Sequence, residues 1–167
     1  MAKKLQTPCA APKRGLPWEL KYKYAMGGYI GVFKAFLYAI REEYGAAAAL
    51  KIYERVATMD DRVKNFTTTL KNVFKLEGND AETIGEWFDI WNELMESEAT
   101  ILEWSKTIVR RKHTNCPWKT GPEDISEWAL ILENIIVKTI NPKATVERPK
   151  GMCAGDPYCE YVYKIEE

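Results

Sequence analysis

The chain has 167 residues, an ordinary size for one domain and enough to bury a core. Lys plus Arg equals Asp plus Glu at 24 each, a balance that leaves no electrostatic footprint for nucleic acid or an anionic membrane surface. No run approaches the roughly 20 apolar residues of a membrane span, and the basic start (Lys3, Lys4, Lys13, Arg14) lacks the apolar stretch of a secretory signal, so the expected location is the cytoplasm.

Residues 1–17 are polar and rich in alanine and proline, and read as a flexible arm able to wrap the domain or a partner. Residues 18–167 read as a single domain. Tyr29, Val32, Phe33, Phe36, Leu37 and Ile40 recur at three-and-four spacing and predict an amphipathic helix that Gly45 ends. A second helix covers Ala46 to Val56. Asp60 is placed to cap a third, whose expected buried stripe is Val63, Phe66, Leu70, Val73 and Phe74. Gly78-Asn79-Asp80 reads as a stop followed by a cap, and a fourth helix carries Ile84, Trp87, Phe88, Trp91 and Leu94.

At Ala99 the period changes from helical to alternating. Ile101 and Glu103 point one way and Leu102 and Trp104 the other; Ser105-Lys106 is a short link, and alternation resumes through Thr107–Asn115, so the pair predicts an antiparallel hairpin. Gly121-Pro122-Glu123 opens a helix over Ile125–Ile140, which Asn141-Pro142 ends. Strands follow at Ala144–Arg148 and Glu160–Ile165. Helices first, then two strands, a helix and two strands, predict an α+β fold: N-terminal helices on one face of a small antiparallel sheet, with one further helix between the strand pairs.

Four cysteines stand at 9, 116, 153 and 159. In a reducing compartment they read as metal ligands, reactive thiols or small buried apolar residues rather than disulfides. Gly155 and Asp156-Pro157 favour a turn that brings Cys153 and Cys159 together, and Cys116 ends the second hairpin strand before Pro117. Three sulfurs at one sheet edge would suit zinc, with a fourth ligand drawn from His113, Glu98, Glu103 or Glu160. His113, beside Lys112 in a basic strand, also reads simply as a surface residue. Tyr24, Tyr29, Phe33, Phe36, Trp87, Trp91 and Trp104 are candidates both for the core and for an apolar ligand pocket. Arg110 and Arg111 are a solvated strand face or a carboxylate clamp. No nucleophile elbow, phosphate loop or dinucleotide fingerprint is present.

The run Arg110-Arg-Lys-His-Thr-Asn-Cys116-Pro117-Trp118, a following helix, and Gly155-Asp156-Pro157-Tyr158-Cys159-Glu160-Tyr161 resemble the L-2-amino-thiazoline-4-carboxylate hydrolase-like family. The chain also looks like the related 4-vinyl-reductase small-molecule-binding domains, some of which hold zinc. The resemblance covers the last third to two-fifths of the chain. It implies zinc or another divalent metal on Cys116, Cys153 and Cys159 with Glu98 or Glu103, and hydrolysis of a cyclic C–N bond. In that reading Glu133 or Glu103 is the base, Arg110 or Arg111 holds a substrate carboxylate, and Trp91 and Trp104 help to line the pocket. The expected partner is a small organic ligand, with a homo-oligomer or a larger enzyme complex possible. The competing reading is a non-catalytic subunit of a larger metabolic enzyme, docked through the N-terminal arm.

Overall fold

A computed structural model of the chain describes residues 17–95, 97–115 and 125–166. The helices are α1 (Trp18–Tyr44), α2 (Ala46–Thr58), α3 (Arg62–Val73), α4 (Ala81–Leu94) and α5 (Ile125–Ile140). The strands are β1 (Ala99–Trp104), β2 (Ile108–His113), β3 (Ala144–Lys150) and β4 (Cys159–Ile165). The N-terminal arm lies outside the described residues apart from Pro17. The chain divides into two compact units, 1–36 and 37–167, and the boundary falls inside α1. In the first, Trp18 and Tyr22 meet one helical turn apart, with ring centres 5.3 Å from each other. The second holds all four strands.

The α+β class expected from the sequence is the one observed. The sheet is antiparallel in the order β1-β2-β4-β3, so the last strand enters its middle, between β2 and β3. Helix α4 packs on β1, β2 and β4, and α5 packs on β3. Helices α2 and α3 lie against α5. Being covered from two directions explains why α5 (Ile125–Ile140) is apolar around most of its circumference rather than along one stripe. The edge strands are interrupted, as unpaired edges usually are: β1 has a bulge between Ile101 and Glu103, and β3 has Pro149 and an irregularity between Glu147 and Lys150.

Local chemistry sets the element ends. The Asp80 carboxylate accepts the Thr83 backbone N–H at 2.9 Å and caps α4. Asp60 does not cap α3. Asp60 and Asp61 both have positive φ in the 3-10 turn before Arg62, and neither makes a side-chain cap bond. The expected stripe of α3 is also narrower than its sequence implies. Val63 and Leu70 face the core and Thr67 is fully buried, but Phe66, Val73 and Phe74 are exposed.

The bulge in β1 corrects the expected alternation. Ile101 stands opposite Arg111 and Glu103 opposite Arg110, neighbours that point to opposite faces of β2. Trp104, opposite Val109, is thereby turned towards α4. It packs so close to Gly85 that a Cβ there would lie 2.6 Å from its ring carbons and 3.3 Å from Val109 Cγ1. The rest of the core is centred on Trp87, whose ring stacks on Trp91 and meets Phe88 edge-on, and whose Nε1 donates to the Thr67 carbonyl at 3.2 Å.

Gly85→Ala should therefore lower stability. Overpacking of about 1–3 kcal/mol outweighs the gain of about 0.8–1 kcal/mol in helix propensity. A urea midpoint equal to or above that of the parent chain would contradict the close approach of Trp104.

Candidate functional site: a cleft between the sheet and α4 and α5

Antiparallel pairing of β2 with β4 sets His113 opposite Cys159, Arg111 opposite Tyr161 and Val109 opposite Tyr163. Side chains alternate across a strand, so these six residues share the helix-facing side of the sheet. At one end of that side, between α4 and α5, the helices leave a cleft of about 110 Å³. For scale, a dry cavity of about 150 Å³ holds a benzene ring. Its walls are mainly aromatic and aliphatic: Phe88 and Trp91 from α4, Leu132 and Ile136 from α5, Tyr161 and Tyr163 from β4. Tyr53 of α2 closes the far side, and Ser97 and Asn115 also line it. No Lys or Arg is among the described residues lining it.

Three polar side chains enter this apolar space with an atom that has no partner among the described residues: Asn92 Nδ2, His113 Nε2 and Glu133 Oε2. Asn92 and His113 are 8% and 9% exposed. The state of His113 follows from its neighbours. Ser97 Oγ donates its single proton to the Asn115 carbonyl at 3.2 Å, and it also lies 3.5 Å from His113 Nδ1. Having given its proton away, the hydroxyl is an acceptor towards the ring, an arrangement that favours the tautomer with the hydrogen on Nδ1 and a lone pair on Nε2 towards the cleft. Burial, and then the Arg111 guanidinium, push the His113 pKa down to about 4, which keeps the ring neutral. Burial raises the Glu133 pKa well above the usual carboxylate range, only partly offset by Arg148, and so favours its proton-bearing form. The cleft thus offers one acceptor and two donors.

Cys159, 4% exposed, opens β4 and lines the same cleft. It is positioned by the turn before it. Gly155 adopts φ 95°, a left-handed conformation that glycine takes without strain. Asp156 Oδ2 accepts the Gly151 N–H at 2.8 Å. The Met152 N–H then donates to Cys159 Sγ at 3.2 Å.

No family model matches the chain, and no curated protein does. Solved structures do. The chain is similar to a trafficking protein particle complex subunit 3 from Naegleria fowleri, covalently bound to palmitic acid: 13% identity, TM-score 0.65, covering 87% of this chain and 97% of that one. It is also similar to the phenol-responsive sensory domain of the transcription activator PoxR with phenol: 10% identity, TM-score 0.58, covering 81% and 74%. At these identities the likeness is one of fold.

Of the residues expected from sequence, Glu133, Trp91 and Cys159 line the cleft. Trp104 lies beyond it, against Gly85. Glu103 and Arg110 are on the other sheet face. Arg110 lies 2.5 Å from Glu160 and 3.8 Å from Glu103, so Glu103 and Glu133 are not brought together. Arg111 is buried but engaged, donating to the Gly85 carbonyl at 3.1 Å and pairing with Asp89. Glu98 is exposed just ahead of β1, whose Ala99 pairs with His113, so two strand spacings, about 10 Å, separate that edge from Cys159. Cys153 is half-buried in the 3-10 turn before β4. Cys116 and Cys9 lie outside the described residues. Among the described residues no three His, Cys, Asp or Glu side chains converge as a metal site. No helix among them is long and apolar enough to cross a membrane.

His113 is buried rather than on the surface. Its parity with the apolar Val109, four residues earlier, was the available signal. Asn92 carried none, because its role depends on where α4 crosses the sheet.

The two perturbed groups predict opposite pH effects on stability. Between pH 6.5 and about 4 the unfolded chain takes up a proton at His113 that the folded chain refuses, so stability falls as pH drops through that window. Above the ordinary value of 4.5 the unfolded chain loses the Glu133 proton that the folded chain keeps, so stability falls as pH rises towards the raised folded value. Urea unfolding across pH should show Glu133→Gln flattening the second slope and leaving the first. An unchanged profile in that variant would contradict the buried acid.

Proposed function

We propose that the chain is a small-molecule-binding domain whose ligand occupies the cleft between α4, α5 and the β2–β4 face. The observation that carries this is the convergence of Asn92 Nδ2, His113 Nε2 and Glu133 Oε2 in one apolar cleft without a partner among the described residues. Each such group costs roughly 1–3 kcal/mol when buried unsatisfied, and three in one place are retained most simply because something that enters the cleft satisfies them.

Their chemistry specifies the guest. His113 Nε2 requires a donor, while Asn92 Nδ2 and the protonated Glu133 require an acceptor. A hydroxyl supplies both. The aromatic walls and the volume suit a single ring, and the absence of Lys and Arg among the described lining residues disfavours a carboxylate. The reading is therefore an uncharged, ring-sized hydroxyl compound. The likeness of fold to a sensory domain solved with phenol is in keeping with it.

A thermal-shift series with phenol, toluene and benzoate checks this, because a ligand that binds only the native state must raise its melting temperature. Phenol should stabilise the chain in a concentration-dependent way, toluene less, and benzoate not at all. His113→Leu should weaken phenol binding about tenfold, the worth of one hydrogen bond. Equal stabilisation by benzoate, or none by phenol, would count against the proposal.

A further inference from the structure

We infer that the cleft is a proton-gated site for uncharged rings, in which Glu133 holds the guest's acceptor oxygen only while it carries a proton. With that proton in place the site takes cyclic ketones as well as hydroxyl compounds. Without it, only guests that have a hydrogen to donate remain. This rests on the cleft being a ligand site and adds the condition under which it binds.

The geometry isolates one oxygen. Glu133 is half-buried as a residue, yet its Oε2 is fully buried and has no partner among the described residues, and the side chain lines the cleft. A carboxylate only accepts hydrogen bonds, so this oxygen can donate to a guest in the acid form alone. The other donor in the cleft, Asn92 Nδ2, keeps its hydrogens whatever the pH. An acceptor oxygen on a guest thus has two donors available when Glu133 is protonated. When Glu133 is ionised the guest has one donor left, and a second acceptor stands where the other had been. A hydroxyl guest escapes this loss by turning its own hydrogen to the carboxylate. A ketone has none to turn.

The groups around Glu133 leave it as the gate. Strand β2 contributes Arg111 and His113, β4 contributes Cys159, Tyr161 and Tyr163, β3 contributes Arg148 and α2 contributes Tyr53. Helix α4 adds Asp89, which is paired with Arg111. Helix α3 also packs on α5, but its Lys64 lies beside Asn134 and Lys138 and is not among the groups acting on Glu133. The 3-10 turn Met152–Ala154 brings the Cys153 thiol to the same helix. Burial opposes the charge on Glu133 more than Arg148 and Arg111 favour it, and Cys159 adds to the opposition. His113 is neutral down to about pH 4, and Tyr53 and Tyr163 hold their protons above the ordinary range. As pH rises through the raised value of the folded chain, Glu133 ionises and affinity for an acceptor-only guest falls.

The test compares cyclohexanone with cyclohexanol, which share a ring and carry no charge, but of which only the alcohol can donate a hydrogen. Their binding to the full chain is measured by calorimetry from roughly pH 5 to 9. Cyclohexanone affinity should be level on the acid side and fall about tenfold per pH unit on the alkaline side, while cyclohexanol changes less than about threefold. Titrations in two buffers of different ionisation heat should show proton uptake with the ketone on the alkaline side. Glu133→Gln, which keeps an amide donor at every pH, should bind cyclohexanone with no slope. Cyclohexanone affinity that is level or absent throughout while cyclohexanol binds overturns the gate and leaves the ligand site standing. So does an equal fall for both compounds, or a slope that persists in Glu133→Gln, which would put the titration on another group such as Cys159. Failure of both compounds and of phenol at every pH overturns the site itself. Proton uptake by the unaltered chain decides the matter even if the variant folds poorly.

Discussion

Everything at the candidate site depends on the register between β2 and β4. The strand that begins at Cys159 is the last in sequence and the second from the edge in space, so its pairing with β2 spans a long sequence separation. A slip of one residue would send Cys159, Tyr161 and Tyr163 to the outer face and bring Glu160 and Val162 inward. Register is held from both sides of the sheet. On the helix side Tyr163 stacks on Phe88 with ring centres 4.6 Å apart. On the outer side Arg110 grips the buried Glu160, and Lys164 pairs with Glu147 at 2.9 Å. The turn at 151–156, closed by Asp156, delivers the chain to the start of β4.

Given that register, the site gathers three of the buried polar atoms that lack a hydrogen-bond partner among the described residues; Arg111 Nε and Trp128 Nε1 lack one outside the cleft. At one end of the interface, Trp87, Ile84, Val109 and Val137 are fully buried and apolar. At the other, Asn92, His113 and Glu133 bring polar atoms into the same layer and leave them without partners among the described residues. Arg111 marks the transition. It is equally buried, but two of its nitrogens are engaged by Gly85 and Asp89 on α4, and its charge helps to keep His113 neutral. Where buried polar groups are satisfied they fix the packing of α4 on the sheet; where they are not, they leave hydrogen-bonding capacity open to the cleft.

The change of period at Ala99, the helix between strand pairs and the parity of Tyr161 and Tyr163 are legible in the sequence because each rests on local periodicity. So is the turn between Cys153 and Cys159, written in Gly155 and Asp156-Pro157. The bulge in β1 is not: nothing in Ile101-Leu102-Glu103-Trp104 marks where it falls, and only pairing with β2 reveals the skipped residue. The cleft was partly legible. Glu133, Cys159 and Trp91 were candidates for other reasons, whereas His113 and Asn92 gain meaning only from the crossing of α4 over β2. Arg110 and Arg111, adjacent in sequence and alike in charge, end on opposite faces with unrelated partners, a separation that strand alternation implies but a charge run conceals.

The central claim is that a neutral His113 presents an unprotonated Nε2 to a ligand cleft. Because His113 is the chain's only histidine, its ring nitrogens give single resonances in a nitrogen-15 NMR spectrum. At neutral pH the account predicts a protonated Nδ1 and a bare Nε2, with the Nε2 resonance moving as phenol is added. A protonated Nε2, a charged ring, or a spectrum that phenol leaves unchanged would contradict it.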